Sequence, residues 1–239
     1  MKLFFNPLHT ALIVLSLIVT FSPAHASSVQ DLEQWSDVTL DVHATPKLRI
    51  FTQAQPRIGS NLSHSDRLYL KTAVGYQVTK SMSIWQGLGW TPTFEGVNTL
   101  KHTFPEHYTD EHILYQQVLF ENKWKNLKIN NRSILEERFI ERAGGTNIRA
   151  RHLLKLAYPI GKSKKWSLVA FDDLYMNLNS TPRGPKAGFD QNLLFFGINR
   201  KLTPHIALEA GYMNNPVNVF HHSVNRMNHA ALVSLNFKF

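Results

Sequence analysis

The last nine residues, Ala231 to Phe239, alternate without a break. Ala231, Val233, Leu235, Phe237 and Phe239 take one side, and Leu232, Ser234, Asn236 and Lys238 the other. Alternation at period two belongs to a strand whose two faces meet different surroundings. Comparable segments recur along the chain, and none keeps a helical period over twelve residues. The one long apolar run, Ala11 to Phe21, is about eleven residues, against the roughly twenty that a membrane-spanning helix needs. If this chain crosses a membrane it does so as a closed barrel, because an open sheet edge cannot be satisfied in lipid.

The N-terminus points to export. Met1-Lys2 is a short positive segment, Ala11 to Phe21 an apolar core, and Ala24-His25-Ala26 a small-x-small cleavage site. This is the three-part layout of a secretory signal. Residues 1–26 are expected to be a cleaved signal peptide, and residues 27–239 a single domain. Cysteine is absent, which fits an oxidising compartment but carries little weight.

Eleven strand-like segments can be traced: Trp35 to His43, Lys47 to Gln55, Arg67 to Val78, Met82 to Thr91, His112 to Trp124, Leu127 to Phe139, Ile148 to Tyr158, Trp166 to Met176, Phe189 to Leu202, Ile206 to Tyr212 and His229 to Phe239. Gly87 and Gly89 share a face with Trp85, which suggests a bend or a close backbone approach. Short turns near Thr45, Lys80, Asn126, Gly161 and Thr203 alternate with longer polar loops near Ser63, Phe104, Gly145, Gly184 and Val219. Membrane barrels show this asymmetry between periplasmic turns and external loops. Trp35, Tyr76, Trp90, Trp124, Tyr158, Trp166, Tyr212 and Phe239 lie near strand ends, where amphipathic rings can form two girdles at the headgroups.

A terminal strand that is apolar on one face and stops on Phe resembles the closing strand of bacterial outer-membrane barrels. That resemblance makes Phe239 the expected membrane-insertion signal, read by the barrel-assembly machinery. The expected fold is therefore all-β, an antiparallel up-and-down transmembrane barrel in the outer membrane of a Gram-negative cell. Bacterial barrels have even strand numbers. Twelve strands are expected, with ten as the alternative: either Ser27 to Gln34 adds a strand or crosses the lumen, or one of the eleven segments is misassigned. Periodicity does not say which face points outward, so a soluble lipocalin-like binder is the bland competitor.

The net charge is +9 and the mean hydropathy −0.22. Lys and Arg are scattered through alternating strands with no basic run, so nucleic acid is not an expected partner. Anionic headgroups of outer-membrane lipid, lipopolysaccharide included, are the expected counter-charges. The densest polar pattern is Arg132, Glu136 and Arg138 on one strand face, followed by Arg149 and Arg151 on the next. If these strands pair across Gly144-Gly145, opposite charges ladder the lumen. The ladder is either an anion-selective patch or a structural filler. With Asp173, Gln191 and Glu209, these residues form the candidate lumen cluster.

Leu135-Glu136-Glu137-Arg138-Phe139, the Arg149-x-Arg151 strand, Phe171-Asp172-Asp173-Leu174-Tyr175, Gly188-Phe189-Asp190-Gln191-Asn192, Glu209-Ala210-Gly211-Tyr212 and the terminal strand together resemble the DUF2490 family of uncharacterised exported barrels. Where that family tends to show Asn-Glu and Gln-Asn-Arg, this chain has Asp172-Asp173 and Gln191-Asn192-Leu193. The resemblance covers essentially the mature chain. It implies an outer-membrane barrel and no assigned activity.

A lipid-modifying enzyme of the outer membrane, of phospholipase or lipid A deacylase type, is the alternative. It needs a Ser activated by an oriented His. His221-His222-Ser223 falls in a loop, and the neighbours in His64-Ser65-Asp66 point to opposite faces of a strand. Neither makes a catalytic set. The twelve His residues show no metal-ligand spacing, and no phosphate-cradling glycine loop is present. No metal, cofactor or catalytic residue is expected. The leading expectation is a barrel with a structural, ligand-binding or small-solute passage role.

Overall fold

The computed structural model describes residues 28–94, 108–219 and 225–239, which contain strands and connections and no helix. The strands are β1 (Ser28–His43), β2 (Leu48–Gly59), β3 (His64–Gln77), β4 (Met82–Trp90), β5 (Thr93–Phe94), β6 (Tyr108–Thr109), β7 (Glu111–Trp124), β8 (Leu127–Ile140), β9 (Thr146–Ile160), β10 (Trp166–Asn177), β11 (Gly188–Lys201), β12 (Ile206–Val217) and β13 (Asn225–Lys238). β5 and β6 pair with each other as a small flap beside β3. The other eleven close into one barrel, with β3 followed by β4 and β4 by β7. The expected signal peptide lies outside the described residues, and so does the His221-His222-Ser223 segment.

Every strand runs antiparallel to its neighbours except at the seam. There β1 and β13 pair in parallel, from Ser28 opposite Asn225 to Asp41 opposite Lys238. The barrel strands number eleven, between the expected twelve and the alternative ten. An even count is needed only when the first and last strands close antiparallel. Ser28 to Gln34 adds no strand and crosses no lumen; it is the first half of β1. Both β1 and β13 begin at the long-loop end and finish at the short-turn end, where the Phe239 carbonyl accepts the His43 N–H at 2.7 Å.

The faces sort the opposite way from a soluble barrel. Outward positions are apolar and exposed: Val74 is 53% accessible, Leu168 52% and Phe196 57%, with Leu194 and Val233 also exposed. Inward positions include the fully buried Glu136 and the buried Arg149, Arg151 and Asp173. Seven of the eight expected girdle aromatics face outward and are exposed. Trp35 does not: it is buried in the lumen, because odd-numbered residues of β1 point inward.

Glycines accommodate inward aromatics. A Cβ at Gly75 would collide with the Trp85 ring, its cross-strand partner, and one at Gly87 with the Tyr115 ring. The expected close approach at Gly87 is thus a tyrosine lying against bare backbone. At Gly89 a Cβ would meet Ile113 at 3.3 Å. Two apolar clusters fill opposite parts of the lumen wall, one around Trp35, Phe195 and Met213, the other around Trp85, Ile113 and Tyr115.

Candidate functional site

The β8–β9 hairpin builds the centre of the lumen. Its loop turns at Gly144, whose φ of +77° is in the left-handed region that glycine enters without strain. The register then sets Glu136 opposite Arg149 and Arg138 opposite Asn147, all facing inward. Glu136 Oε2 accepts from Arg149 Nε and Nη2 at 2.8 and 2.6 Å, while its Oε1 accepts from Arg151 Nη1 at 2.8 Å. Lys71, reaching in from β3, lies 3.6 Å from the same carboxylate.

The network spreads both ways from this carboxylate. Arg151 Nη2 donates to Asp173 at 2.8 Å, and Arg132 Nη2 donates to the same oxygen at 3.3 Å. Arg149 also donates to Asp190 at 2.8 Å. Arg138 pairs in fork geometry with Glu111 and donates to Asn147 at 3.0 Å. Asp190 is inward because the β10–β11 pairing slips one residue between Tyr175 and Met176, the signature of a bulge. Taking so many ions from water carries a desolvation penalty of several kcal/mol each, offset only when every charge is met by partners. With each carboxylate already held by arginine, this arrangement braces the wall.

All eight residues of the expected lumen cluster lie on the inner face. Arg132, Glu136, Arg138, Arg149, Arg151 and Asp173 form one network. Glu209 stands apart, bonded to Lys155 Nζ at 2.7 and 2.9 Å, and Gln191 accepts from Asn215 at 3.3 Å. Sequence reasoning missed Lys71, Glu111 and Asp190. Lys71 and Glu111 come from other strands, with only inward parity to mark them, and the bulge hides Asp190.

The network and its neighbours divide the interior. Toward the long-loop end is a vestibule of about 780 Å3, lined by Arg57, Arg67, Arg138, Arg149 and Arg226 against Glu33, Asp66, Glu111 and Asp190. Below it is a chamber of only about 160 Å3. Arg57 lines both. Its guanidinium lies 3.2 Å from the Trp35 ring centre and 4.1 Å from that of Tyr69, a cation–π sandwich, and it donates to Gln55 at 2.8 and 3.0 Å. Arg67 Nε and Arg226 Nε are buried with no hydrogen-bond partner among the described residues. Those residues also contain no group of three or more His, Cys, Asp or Glu placed to hold a metal.

The fold and this interior define a class: a closed β-barrel, apolar outside, with a charged and occluded lumen. The chain belongs to the family described as protein of unknown function DUF2490, whose model matches residues 32–228. An uncharacterised protein of Methylorubrum extorquens is 29% identical over 212 residues, which cover 86% of this chain and 88% of that protein. Among solved structures, the outer-membrane expressed OmpT of Vibrio cholerae aligns over 79% of this chain with 15% identity and a TM-score of 0.38. This chain covers 61% of that protein's length, and a likeness so slight carries no argument about function.

Proposed function

We propose that this protein is an integral outer-membrane barrel, closed to free passage, whose loop-end vestibule holds a small anionic solute. The observation that carries the reading is the inverted distribution of polarity. A wall of exposed Leu, Val, Ile and Phe surrounding buried Arg, Glu and Asp suits a hydrocarbon solvent and would leave a soluble barrel aggregating. Strands of fourteen residues, such as β11, run about 46 Å and rise about 35 Å at the usual tilt, enough for an apolar band of about 25 Å. In this reading residues 1–26 are removed on export, the short turns face the periplasm, and the assembly machinery reads the terminal strand through Phe239. Outer-membrane lipid and lipopolysaccharide then surround the wall.

Binding is favoured over passage because Arg57, stacked between Trp35 and Tyr69, lies between the vestibule and the small chamber. Of the four buried arginine Nε–H groups without a partner among the described residues, those of Arg67 and Arg226 belong to side chains that line the vestibule and suit an anion. The protein is expected in the outer-membrane fraction, with heat-modifiable gel mobility and no steady conductance in planar bilayers. Inorganic phosphate is expected to raise the temperature of the mobility change, and Arg57→Gln to abolish that rise. Recovery as a freely soluble monomer without detergent would overturn the membrane assignment; sustained conductance would overturn the closed lumen.

A further inference from the structure

Most outward residues near the middle of β8 and β9 are apolar, and three that are not touch one another. Ser133 and His152 are direct cross-strand partners, and Asn131 lies two residues from Ser133 on the same face. His152 Nδ1 is 3.0 Å from Ser133 Oγ, and its Nε2 is 3.3 Å from the Asn131 amide nitrogen. A hydroxyl, an imidazole and an amide on an apolar wall are unfavourable in hydrocarbon. Bonding to one another makes them tolerable but does not explain why three polar residues were placed there.

Their arrangement is that of an acyl-transfer site: a nucleophile, a base in hydrogen-bond reach of it, and a third polar group orienting the base. With Asn131 Nδ2 donating to Nε2, the imidazole carries its proton on Nδ1 and donates to Ser133, a resting state. A half-turn of the amide presents Oδ1 to an Nε2–H instead. The Nδ1 lone pair then faces Ser133 Oγ and can take its proton. Ser133 and His152 line an outward groove of about 890 Å3 whose apolar walls include Leu135, Leu174 and Met176, with Gln116 on the same surface. Apolar walls suit an acyl chain, and the Gln116 amide supplies N–H donors of the kind an oxyanion needs.

We propose that Ser133, His152 and Asn131 form a hydrolase site for acyl esters of membrane lipid, reached laterally from the bilayer. The lipid substrate rests on the membrane reading above, whereas the triad does not. Ser133 Oγ adds to the ester carbonyl carbon as His152 Nδ1 takes its proton. The carbon–oxygen bond to the leaving alcohol breaks, and His152 returns the proton to that alcohol. Water then attacks the acyl-serine with His152 again as base, releasing fatty acid and restoring the hydroxyl.

The test uses the full-length barrel in detergent, its fold verified by heat-modifiable mobility. It is given p-nitrophenyl butyrate, then vesicles of phosphatidylethanolamine, and separately a fluorophosphonate label. Turnover of both esters and labelling at Ser133 are expected. Ser133→Ala should abolish all three, and His152→Gln should slow turnover by about 10²–10⁴-fold. Asn131→Leu, which removes a positioning residue, should move the acid limb of the kcat/KM profile. A folded protein that neither turns over the short ester nor takes the label would overturn the triad, as would undiminished activity in Ser133→Ala. Short-ester turnover without vesicle turnover would overturn the lipid substrate.

Discussion

Glu136 concentrates the interior's energetics in one carboxylate. It is fully buried and is shared by Arg149, Arg151 and Lys71. Glu136→Gln keeps its shape and removes its charge, leaving three buried cations short of a partner. Breaking a buried ion pair from one side costs about 3–5 kcal/mol. A loss of that order is expected in urea unfolding of the detergent-solubilised barrel, followed by gel mobility. Part of this centre is legible in the sequence, since Arg132, Glu136, Arg138, Arg149 and Arg151 follow from alternation plus one assumed hairpin. Alternation tells which way a side chain points and nothing of what faces it across the lumen. Lys71, on β3, therefore gives no sign of its partner on β8. Asp190 is invisible for a different reason, because a bulge reverses the parity on which the reading depends. Ser133 and His152 were each legible as outward residues. Their contact depended on the β8–β9 register.

At the scale of elements, all eleven strand-like segments of the sequence become strands. The largest differences are at β1, which begins at Ser28 where alternation suggested Trp35, and at β12, which runs on to Val217. What alternation could not supply was the closure. Hairpin partners are announced by the turn between them, but β1 and β13 are joined by no connection. The parity rule filled that gap with a twelfth barrel strand, whereas the parallel seam closes the barrel with eleven. The parallel seam can be checked directly. The chain has no cysteine, and Val38 and Leu235 are Cα partners across the seam. Val38→Cys with Leu235→Cys is expected to form an intramolecular disulfide on oxidation, seen as a reductant-sensitive shift on denaturing gels. Pairing Val38→Cys with Leu168→Cys, on β10, should give none. Cross-linking of the second pair but not the first would sink the seam.

For the whole molecule, the wall and its filling divide the labour. The outer surface is simple enough to be read from composition and period, and it suits the barrel to its solvent. The interior is specific: two aromatic clusters, an ion network between strands far apart in sequence, and an arginine held between two rings where the vestibule meets the small chamber. Because the eleventh strand runs in the same direction as the first, residues 28 and 239 leave the wall at opposite ends. In an even-stranded barrel the two termini meet at one end, and a short linker can join them to make a circular permutant. That route is closed here. Under the proposed orientation, a fusion placed just ahead of Ser28 would be displayed to the medium, while one following Phe239 would remain in the periplasm.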